Sequence, residues 1–187
     1  MRTAIVTGTS SGIGKAIALR LLDDRWRVVG LDNAAAVIEA DGFTPVAIDL
    51  ANHASRAPII ERLAPADALV HAAGIMRGAR LGELNQETGA LLWRLHVDAA
   101  MALADHLAPR MPNGGRIVLI GSRAAKGVVG KSQYGAAKAA LVGLARASNL
   151  RRLWIAIVVV GNFAWADACV ALWAFDVVSP TPIGTAW

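Results

Sequence analysis

The sequence predicts an α/β protein built on a doubly wound parallel sheet in three layers. Strand-like and helix-like runs alternate along it, and the strand-like runs are residues 3–7, 27–31, 46–48, 68–70 and 116–120. Such alternation is typical of βαβ units, which place parallel strands in one sheet between two layers of helices. With 187 residues, 55% of them hydrophobic, the chain can bury a large core, and its length favours a single domain over residues 1–187.

The first predicted strand leads directly into a glycine-rich loop and then a helix. After the strand Thr3–Thr7 and the loop, Ile13, Ile17 and Leu21 recur every four residues, as in an amphipathic helix. Loop glycines let the backbone approach a ligand, and the helix N-terminus presents N–H groups to an anion. We therefore expect a pyrophosphate site here, or alternatively a tight turn without a ligand. Its residues are Gly8, Ser10, Ser11, Gly12, Ile13 and Gly14.

The second predicted strand, residues 27–31, is followed by an acidic side chain. The carboxylate of Asp32 can accept hydrogen bonds from both ribose hydroxyls of a dinucleotide and would repel a 2′-phosphate. The next residue is Asn33, and no arginine stands beside it. We therefore expect NAD(H) to be favoured over NADP(H). The alternative is that Asp32 and Asn33 form only a polar turn.

Three polar residues in the second half of the chain have a spacing that suits carbonyl and alcohol redox chemistry. Tyr134 and Lys138 are four residues apart on a predicted helix, so the phenol and the ammonium share one face. A cation there can favour the phenolate and make the tyrosine a usable acid or base near neutral pH. Ser122 lies twelve positions upstream. A surface contact between Tyr134 and Lys138 is the alternative interpretation.

These motifs resemble those of the classical short-chain dehydrogenases/reductases over residues 1 to about 147. The segment TGTSSGIG is similar to the family's TGxxxGIG cofactor loop, and Ser122, Tyr134 and Lys138 match its catalytic residues in order and spacing. The resemblance implies a Rossmann-type fold. It also implies cofactor contacts by an acidic dipeptide after the third strand and by an NAAG motif after the fourth. The matching residues are Asp49, Leu50, Ala72, Ala73 and Gly74.

The resemblance implies an oxidoreductase that moves a hydride between a nicotinamide and a secondary alcohol or ketone. Tyr134 would exchange a proton with the substrate oxygen, and Ser122 would orient that oxygen. Lys138 would favour the ionised tyrosine and, like Tyr134, contact the cofactor, where it would bind the nicotinamide ribose hydroxyls. The alternative is a truncated or degenerate dinucleotide-binding module that turns nothing over.

Two histidines stand where the family usually has asparagine. His71 replaces the first residue of the NAAG motif, which braces the sheet, and we expect its ring to change the geometry there. His96 lies on a predicted helix that contains Leu92 and Leu95. It replaces an asparagine that, in the family, holds a water between the active-site lysine and solvent. With an unperturbed pKa of about 6.5, His96 could relay protons itself. It could equally block the relay, or simply pack at a helix interface.

An atypical insertion, residues 148–175, interrupts the resemblance, and most of it, residues 153–175, is apolar. Its clearly polar side chains are Asn162 and Asp167. It is a buried extra element, a membrane-contacting segment, or a rearrangement that spoils the native connection. The Gly161-Asn162 pair reads as a turn and favours the first interpretation, whereas Asp167 would be costly in lipid.

The resemblance returns at residues 177–185, which are similar to the sixth strand and the PGxxxT motif that contacts the nicotinamide carboxamide. Pro180, Ile183 and Thr185 match this motif, and Thr181 replaces its glycine. Family members continue past this motif into a lid and a last strand. Their absence predicts an uncovered site and an exposed sheet edge, so we expect a homo-oligomer.

Composition excludes several other classes. The single cysteine, Cys169, rules out an internal disulfide and fits a reducing compartment, and a strand in place of a signal peptide predicts a cytoplasmic protein. The net charge is +5, but the basic residues are scattered and no nucleic-acid motif accompanies them. We expect a small-molecule carbonyl or alcohol substrate, and neither a metal nor a nucleic-acid partner.

Overall fold

The computed structural model describes residues 1–147 and the strand Trp154–Val158. In these residues the strands are β1 (Thr3–Thr7), β2 (Arg27–Asp32), β3 (Phe43–Ala47), β4 (Ala68–His71), β5 (Arg116–Ile120) and β6 (Trp154–Val158). The α-helices are α1 (Gly12–Asp23), α2 (His53–Glu61), α3 (Gln86–Trp93), α4 (Ala99–Leu107) and α5 (Ser132–Ala147). The shorter helical turns are a π-helical turn (Arg94–Asp98) and two 3₁₀ turns (Ala108–Arg110 and Arg123–Lys126).

The strands form one parallel sheet in the order β3-β2-β1-β4-β5-β6. Its centre is β1, in which Val6 pairs with Gly30 of β2 on one side and Val70 of β4 on the other. After β1, strands β2 and β3 follow on one side of it, and β4, β5 and β6 then follow on the other side. This arrangement confirms the predicted doubly wound sheet.

Hydrophobic cores lie on both faces of the sheet. Successive residues of a strand point to opposite faces, and the three central residues of β1, Ala4 to Val6, are apolar and buried. Val6 joins a cluster with Leu21 of α1, whereas Ile5 joins a second cluster with Leu103 of α4 and Leu141 of α5. Full burial of each such side chain contributes about 1.5–3 kcal/mol. Helices therefore cover both faces, which confirms the predicted three layers.

The strand order reverses between β1 and β4. Loops that leave the carboxyl ends of these two strands go to opposite faces and open a crevice, where doubly wound proteins bind their ligands. The glycine-rich loop follows β1, and the segment from Ala72 to Gly74 follows β4. The fold thus brings these two segments, which the sequence analysis assigns to the cofactor, to the same crevice.

Three elements differ from the predicted ones. The third strand is Phe43–Ala47 and not residues 46–48, because most of its residues face solvent at the sheet edge and its apolar signal is weak. Leu92 and Leu95 do not share one α-helix, since α3 ends at Trp93. The sixth position in the sheet is filled by Trp154–Val158, at the start of the apolar insertion. The strand-like residues 177–178 lie outside the described residues.

Within the described ranges, none of the helices combines the length and the apolar character that crossing a bilayer requires. The same part of the chain brings together no group of three or more His, Cys, Asp or Glu side chains that could hold a metal ion.

Candidate active site

The glycine-rich loop is folded tightly against the ends of β1 and β2. The Gly8 N–H donates to the Leu31 carbonyl over 2.8 Å, and a Cβ on Gly14 would lie only 2.2 Å from the Gly8 oxygen. Gly12 is different: its φ is +52°, and a Cβ added there would meet nothing within 4 Å. The open space lies at the first residue of α1, where free N–H groups and the helix dipole favour an anion. We call this open space, at Gly12 and the first turn of α1, the cradle. Its donors and its room suit a pyrophosphate.

Asp32 connects the glycine-rich loop to the end of β2. One carboxylate oxygen accepts from the Ser10 N–H over 2.8 Å, and the other accepts from the Ala34 N–H over 2.9 Å. The Ser10 hydroxyl in turn donates to the Ala35 carbonyl over 3.0 Å. The polar turn at Asp32 is therefore present, and the same carboxylate is held beside the cradle, with lone pairs left on both oxygens.

The two residues matched to the adenine contact lie in different environments. Asp49 is exposed, and one of its oxygens accepts from the Ala51 N–H over 2.9 Å. The side chain of Leu50 is buried in the core, and its carbonyl accepts from the Arg56 guanidinium over 2.7 Å. Of these two side chains, the exposed carboxylate of Asp49 is thus the one that a ligand can contact.

Thr7 is a residue of the site that the sequence analysis missed. Its hydroxyl oxygen, fully buried, accepts from the Ala72 and Ala73 N–H groups over 3.0 and 2.8 Å and lies 3.2 Å from Nδ1 of His71. Because that oxygen already accepts two hydrogen bonds, its proton points to Nδ1. Thr7 therefore fixes the turn after β4 against the end of β1.

His71 occupies the position of the asparagine that the family uses as a brace. With Nδ1 accepting from Thr7, Nε2 carries the proton and donates to the Leu95 carbonyl over 3.2 Å. Burial lowers the pKa of His71 to about 3, and the positive charge of Lys138 contributes in the same direction. The ring is therefore neutral, and it links β1, β4 and the π-helical turn.

His96 lies in the π-helical turn and is almost fully buried. Its Nε2 lies 2.9 Å from the Ile75 carbonyl, which can only accept, so Nε2 donates. Nδ1 is then an acceptor, and within the described residues it has no hydrogen-bond partner. Burial, followed by the charge of Lys138, lowers the pKa of His96 to about 4. His96 is thus a neutral acceptor next to Gly74, on which a Cβ would lie 2.2 Å from its Cε1.

Lys138 and Tyr134 lie one turn apart on α5, as the spacing predicts. Lys138 is a buried residue, 5% exposed. Its ammonium donates to the Ile120 carbonyl over 2.7 Å and lies 5.9 Å from the centroid of the Tyr134 ring. Burial lowers the pKa of Lys138 to about 8. The side chain therefore still carries its charge at pH 7, close to a half-buried phenol.

Ser122 follows β5 and begins the 3₁₀ turn Arg123–Lys126. Its hydroxyl oxygen accepts from the Ala124 N–H over 3.1 Å, which leaves the hydroxyl proton free to donate to a ligand. A Cβ on Gly135 would lie 2.7 Å from the Ala124 carbonyl, so this turn packs closely against α5 beside Tyr134. The predicted contacts Pro180, Ile183 and Thr185 lie outside the described residues.

A parallel sheet, a glycine-rich loop opening a helix and an acid at the end of the next strand define the class of Rossmann-type dinucleotide-binding proteins. Within that class, the chain belongs to the short chain dehydrogenase family, whose model matches residues 2–161. It is 36% identical over 152 residues to the 2,3-dihydro-2,3-dihydroxybenzoate dehydrogenase of Escherichia coli (strain K12), covering 78% of this chain and 61% of that protein. It is 33% identical over 152 residues to the cyclic-di-GMP-binding biofilm dispersal mediator protein of the same organism, covering 78% and 64%. The chain thus spans about three fifths of the length of these relatives.

Solved structures show the same architecture. A short-chain dehydrogenase/reductase from Serratia marcescens superimposes with a TM-score of 0.79 at 27% identity, covering 93% of this chain and 88% of that one. A blue fluorescent protein from a metagenomic library, in complex with NADPH, gives 0.67 at 30% identity, covering 78% and 66%. A 4-hydroxyisoleucine dehydrogenase complexed with NADH gives 0.72 at 25% identity, covering 78% and 65%. Two of these three neighbours are thus complexed with a nicotinamide dinucleotide.

Proposed function

We propose that this chain forms the cofactor site and the catalytic residues of an NAD(H)-dependent oxidoreductase acting on a secondary alcohol or ketone. Ser122, Tyr134 and Lys138 together are called the catalytic group. The observation that carries the proposal is the buried, charged Lys138 held by the Ile120 carbonyl beside the Tyr134 ring. Burying an ammonium costs free energy that a single hydrogen bond to a carbonyl offsets only in part, and such perturbed groups are concentrated at functional sites. Several relatives are named as dehydrogenases or reductases, which supports the same class of reaction.

The catalytic roles follow from what each group can donate or accept. Tyr134 exchanges a proton with the substrate oxygen, and the positive charge of Lys138 favours the phenolate in that exchange. Ser122 donates its free hydroxyl proton to the same oxygen and so orients the substrate. The nicotinamide, when bound, supplies or takes up the hydride. Lys138 also has N–H donors for the hydroxyls of the ribose next to it.

In the proposed reaction, the neutral His96 ring accepts a hydrogen bond and does not act as an acid. Its Nδ1 is buried and lacks a partner among the described residues, so it can accept a hydrogen bond from a water or hydroxyl that enters the site. Its depressed pKa keeps it from donating a proton near pH 7. A proton path through His96 therefore needs a water or hydroxyl beside Nδ1 to donate the proton.

The carboxylate of Asp32 supports a preference for NAD(H) over NADP(H) as the cofactor. The neighbouring solved structures include complexes with both cofactors, so membership of the family leaves the choice open. In this chain the carboxylate is held at the end of β2 by the Ser10 and Ala34 N–H groups. A 2′-phosphate at that position would meet its negative charge, whereas ribose hydroxyls would find an acceptor.

The proposal is tested by the oxidation of NADH in the presence of a panel of ketones, followed by absorbance. Wild type should turn over at least one of them, and Tyr134→Phe should lose turnover by a factor on the order of 10² or more while still binding NADH, because only the exchangeable proton is removed. Equal turnover by Tyr134→Phe would refute the role of Tyr134. Ala136→Ser, an exposed change two residues along the same helix, is the matched control.

Binding without turnover is the second candidate function. It is favoured by the similarity to the cyclic-di-GMP-binding biofilm dispersal mediator protein, whose name states what it binds and gives no reaction. NADH binding with no turnover of any ketone by wild type would support this candidate.

We also propose that the protein is cytoplasmic and self-associates. The lone Cys169 supports a reducing compartment. Trp93 at the end of α3 and Met101 in α4 are 45% and 42% exposed, and large apolar side chains exposed on neighbouring helical segments favour association. Size-exclusion chromatography with light scattering should show a dimer or larger species, and a clean monomer would count against self-association.

A further inference from the structure

Two loops at the carboxyl ends of β4 and β5 run side by side next to the catalytic group. We call residues 75–85 and 121–131 the entrance loops. Ala79 and Lys131 form an isolated parallel bridge between them. The adjacent Ser132 donates twice to the Ala79 carbonyl, from its N–H over 3.4 Å and from its hydroxyl over 3.2 Å. These bonds hold the two loops in a fixed register.

A second contact tightens the pair. A Cβ on Gly78 would lie 2.9 Å from the Gly130 carbonyl, so the two backbones approach closely. Farther along, the Gln133 amide donates to the Asn85 carbonyl over 2.8 Å. The first loop is thus held to the second loop at Gly78 and Ala79 and to the start of α5 at Asn85, and the second loop carries Ser122. Whatever enters the catalytic group from this side passes the side chains of the entrance loops.

The entrance loops are strongly basic. They carry five basic side chains against a single acidic one, Glu83. The basic residues are Arg77, Arg80, Arg123, Lys126 and Lys131. Like charges gathered on two neighbouring loops produce a positive potential that attracts anions to the crevice. The cofactor phosphates do not account for this charge, because the cradle at Gly12 and the carboxylate of Asp32 lie on the β1 and β2 side of the crevice.

The same loops expose apolar side chains. Met76, Leu81 and Leu84 on the first loop are 56%, 81% and 43% exposed, and Val128 and Val129 on the second are 44% and 88% exposed. Scattered apolar side chains are normal on a surface, but a group of five on two joined loops beside a catalytic group is typical of a binding site. The entrance is therefore both basic and apolar.

We propose, on the basis of the proposed oxidoreductase function, that the site selects amphipathic anionic substrates: alcohols or ketones that carry a carboxylate or phosphate ester on an apolar chain. The anionic group lies against the basic side chains of the entrance loops, and the chain lies against Leu81 and Val129. Neutral substrates of the same length gain only the apolar contact. The preference for the anion is electrostatic, so it falls as ionic strength rises.

Binding is measured by calorimetric titration of the whole chain with octanoate, octyl phosphate and 1-octanol, in 10 mM and in 500 mM NaCl, with and without NADH. We expect one or both anions to bind about tenfold more tightly than octanol at low salt, and most of that difference to vanish at high salt. The two anions distinguish a carboxylate preference from a phosphate preference. Equal affinities for all three probes, or binding of none, would overturn the inference.

Two variants assign the effect to the entrance loops. Arg80→Gln with Lys131→Gln, one from each loop, should reduce the ratio of anion to octanol affinity severalfold at low salt. Arg62→Gln with Arg27→Gln, which removes the same two charges at the end of α2 and at the start of β2, is the matched control and should leave the ratio unchanged. An equal drop in both variants would contradict the assignment. Because these titrations require no turnover, a failure of the proposed redox function appears separately, as absent ketone reduction.

Discussion

The rings of His96 and Tyr134 meet edge to face, with their centroids 5.6 Å apart and their planes at 81°. This contact joins the π-helical turn after α3 to the first turn of α5. It places a neutral imidazole, and not a second cation, beside the phenol, because burial and the charge of Lys138 keep His96 deprotonated. The phenol therefore has one buried positive group, Lys138, close to it in the described part of the chain.

The two buried histidines should destabilise the protein in acid. The pKa values of His71 and His96 are lowered to about 3 and about 4, so the unfolded chain takes up protons below about pH 6.5 that the folded chain refuses. The stability that the two neutral histidines contribute is fully present above pH 6.5 and is lost as the pH falls toward 4, by at most about 1.4 kcal/mol per pH unit for each histidine. Urea unfolding between pH 7 and pH 4.5 measures this slope.

Asparagine substitutions identify the source of that acid sensitivity. His71→Asn with His96→Asn should have a shallower fall in unfolding free energy with decreasing pH, because asparagine does not titrate. His53→Asn replaces an exposed ring and serves as the control. An unchanged slope in the double variant would show that other groups cause the acid sensitivity.

Gly12→Ala should weaken NADH binding far more than it weakens the fold. The added Cβ meets no protein atom within 4 Å but enters the space of the cradle, while the φ of +52° costs about 1–2 kcal/mol of backbone strain. Gly114→Ala carries a comparable strain at φ +82°, also with nothing within 4 Å, far from the cradle. We expect NADH affinity to fall on the order of tenfold or more in the first variant only. Similar affinities in the two variants would place the dinucleotide elsewhere.

The charge of Lys138 should make NADH binding dependent on pH. Its pKa is lowered to about 8, so the ammonium is present at pH 7 and is lost as the pH rises through 8. NADH affinity should fall severalfold between pH 7 and pH 9, because a neutral amine binds ribose hydroxyls less strongly. Lys138→Gln should bind NADH more weakly at pH 7 and show no such step. A step of equal size in both proteins would assign the titration to another group.

Asp32→Asn should reduce the discrimination against NADPH. The amide oxygen can still accept from the Ser10 N–H, so the loop remains anchored, but the negative charge that repels a 2′-phosphate is gone. We expect the ratio of NADH to NADPH affinity to fall about tenfold. Asp41→Asn, an exposed change outside the site, controls for net charge. An unchanged ratio would mean that Asp32 does not contact the adenosine ribose.

The parts of the site that sequence could predict are those encoded by local spacing. The loop from Gly8 to Gly14 is contiguous, and Tyr134 and Lys138 are one helical turn apart, so their placement follows from element type alone. The same holds for the buried strands of the sheet centre, whose apolar runs are continuous. The membership of the family and the doubly wound fold were predicted from these features and are confirmed.

The parts that sequence could not predict depend on distant partners. Thr7 acts through the Ala72 and Ala73 N–H groups, 65 and 66 positions away, and no local pattern marks it. The π-helical turn that carries His96 has no Gly or Pro to signal it. At the sheet edge, β3 has one neighbour and little burial, so its apolar pattern located it imprecisely.

A calorimetric titration of the purified chain with NADH, with NADPH under the same conditions, tests the central claim most directly. In our proposal, residues 1–147 assemble a dinucleotide cradle at Gly12 with Asp32 beside it. Micromolar binding of NADH and binding of NADPH weaker by about tenfold or more is the expected result. Binding of neither dinucleotide would contradict the assembled site, and equal binding of both would contradict the role given to Asp32.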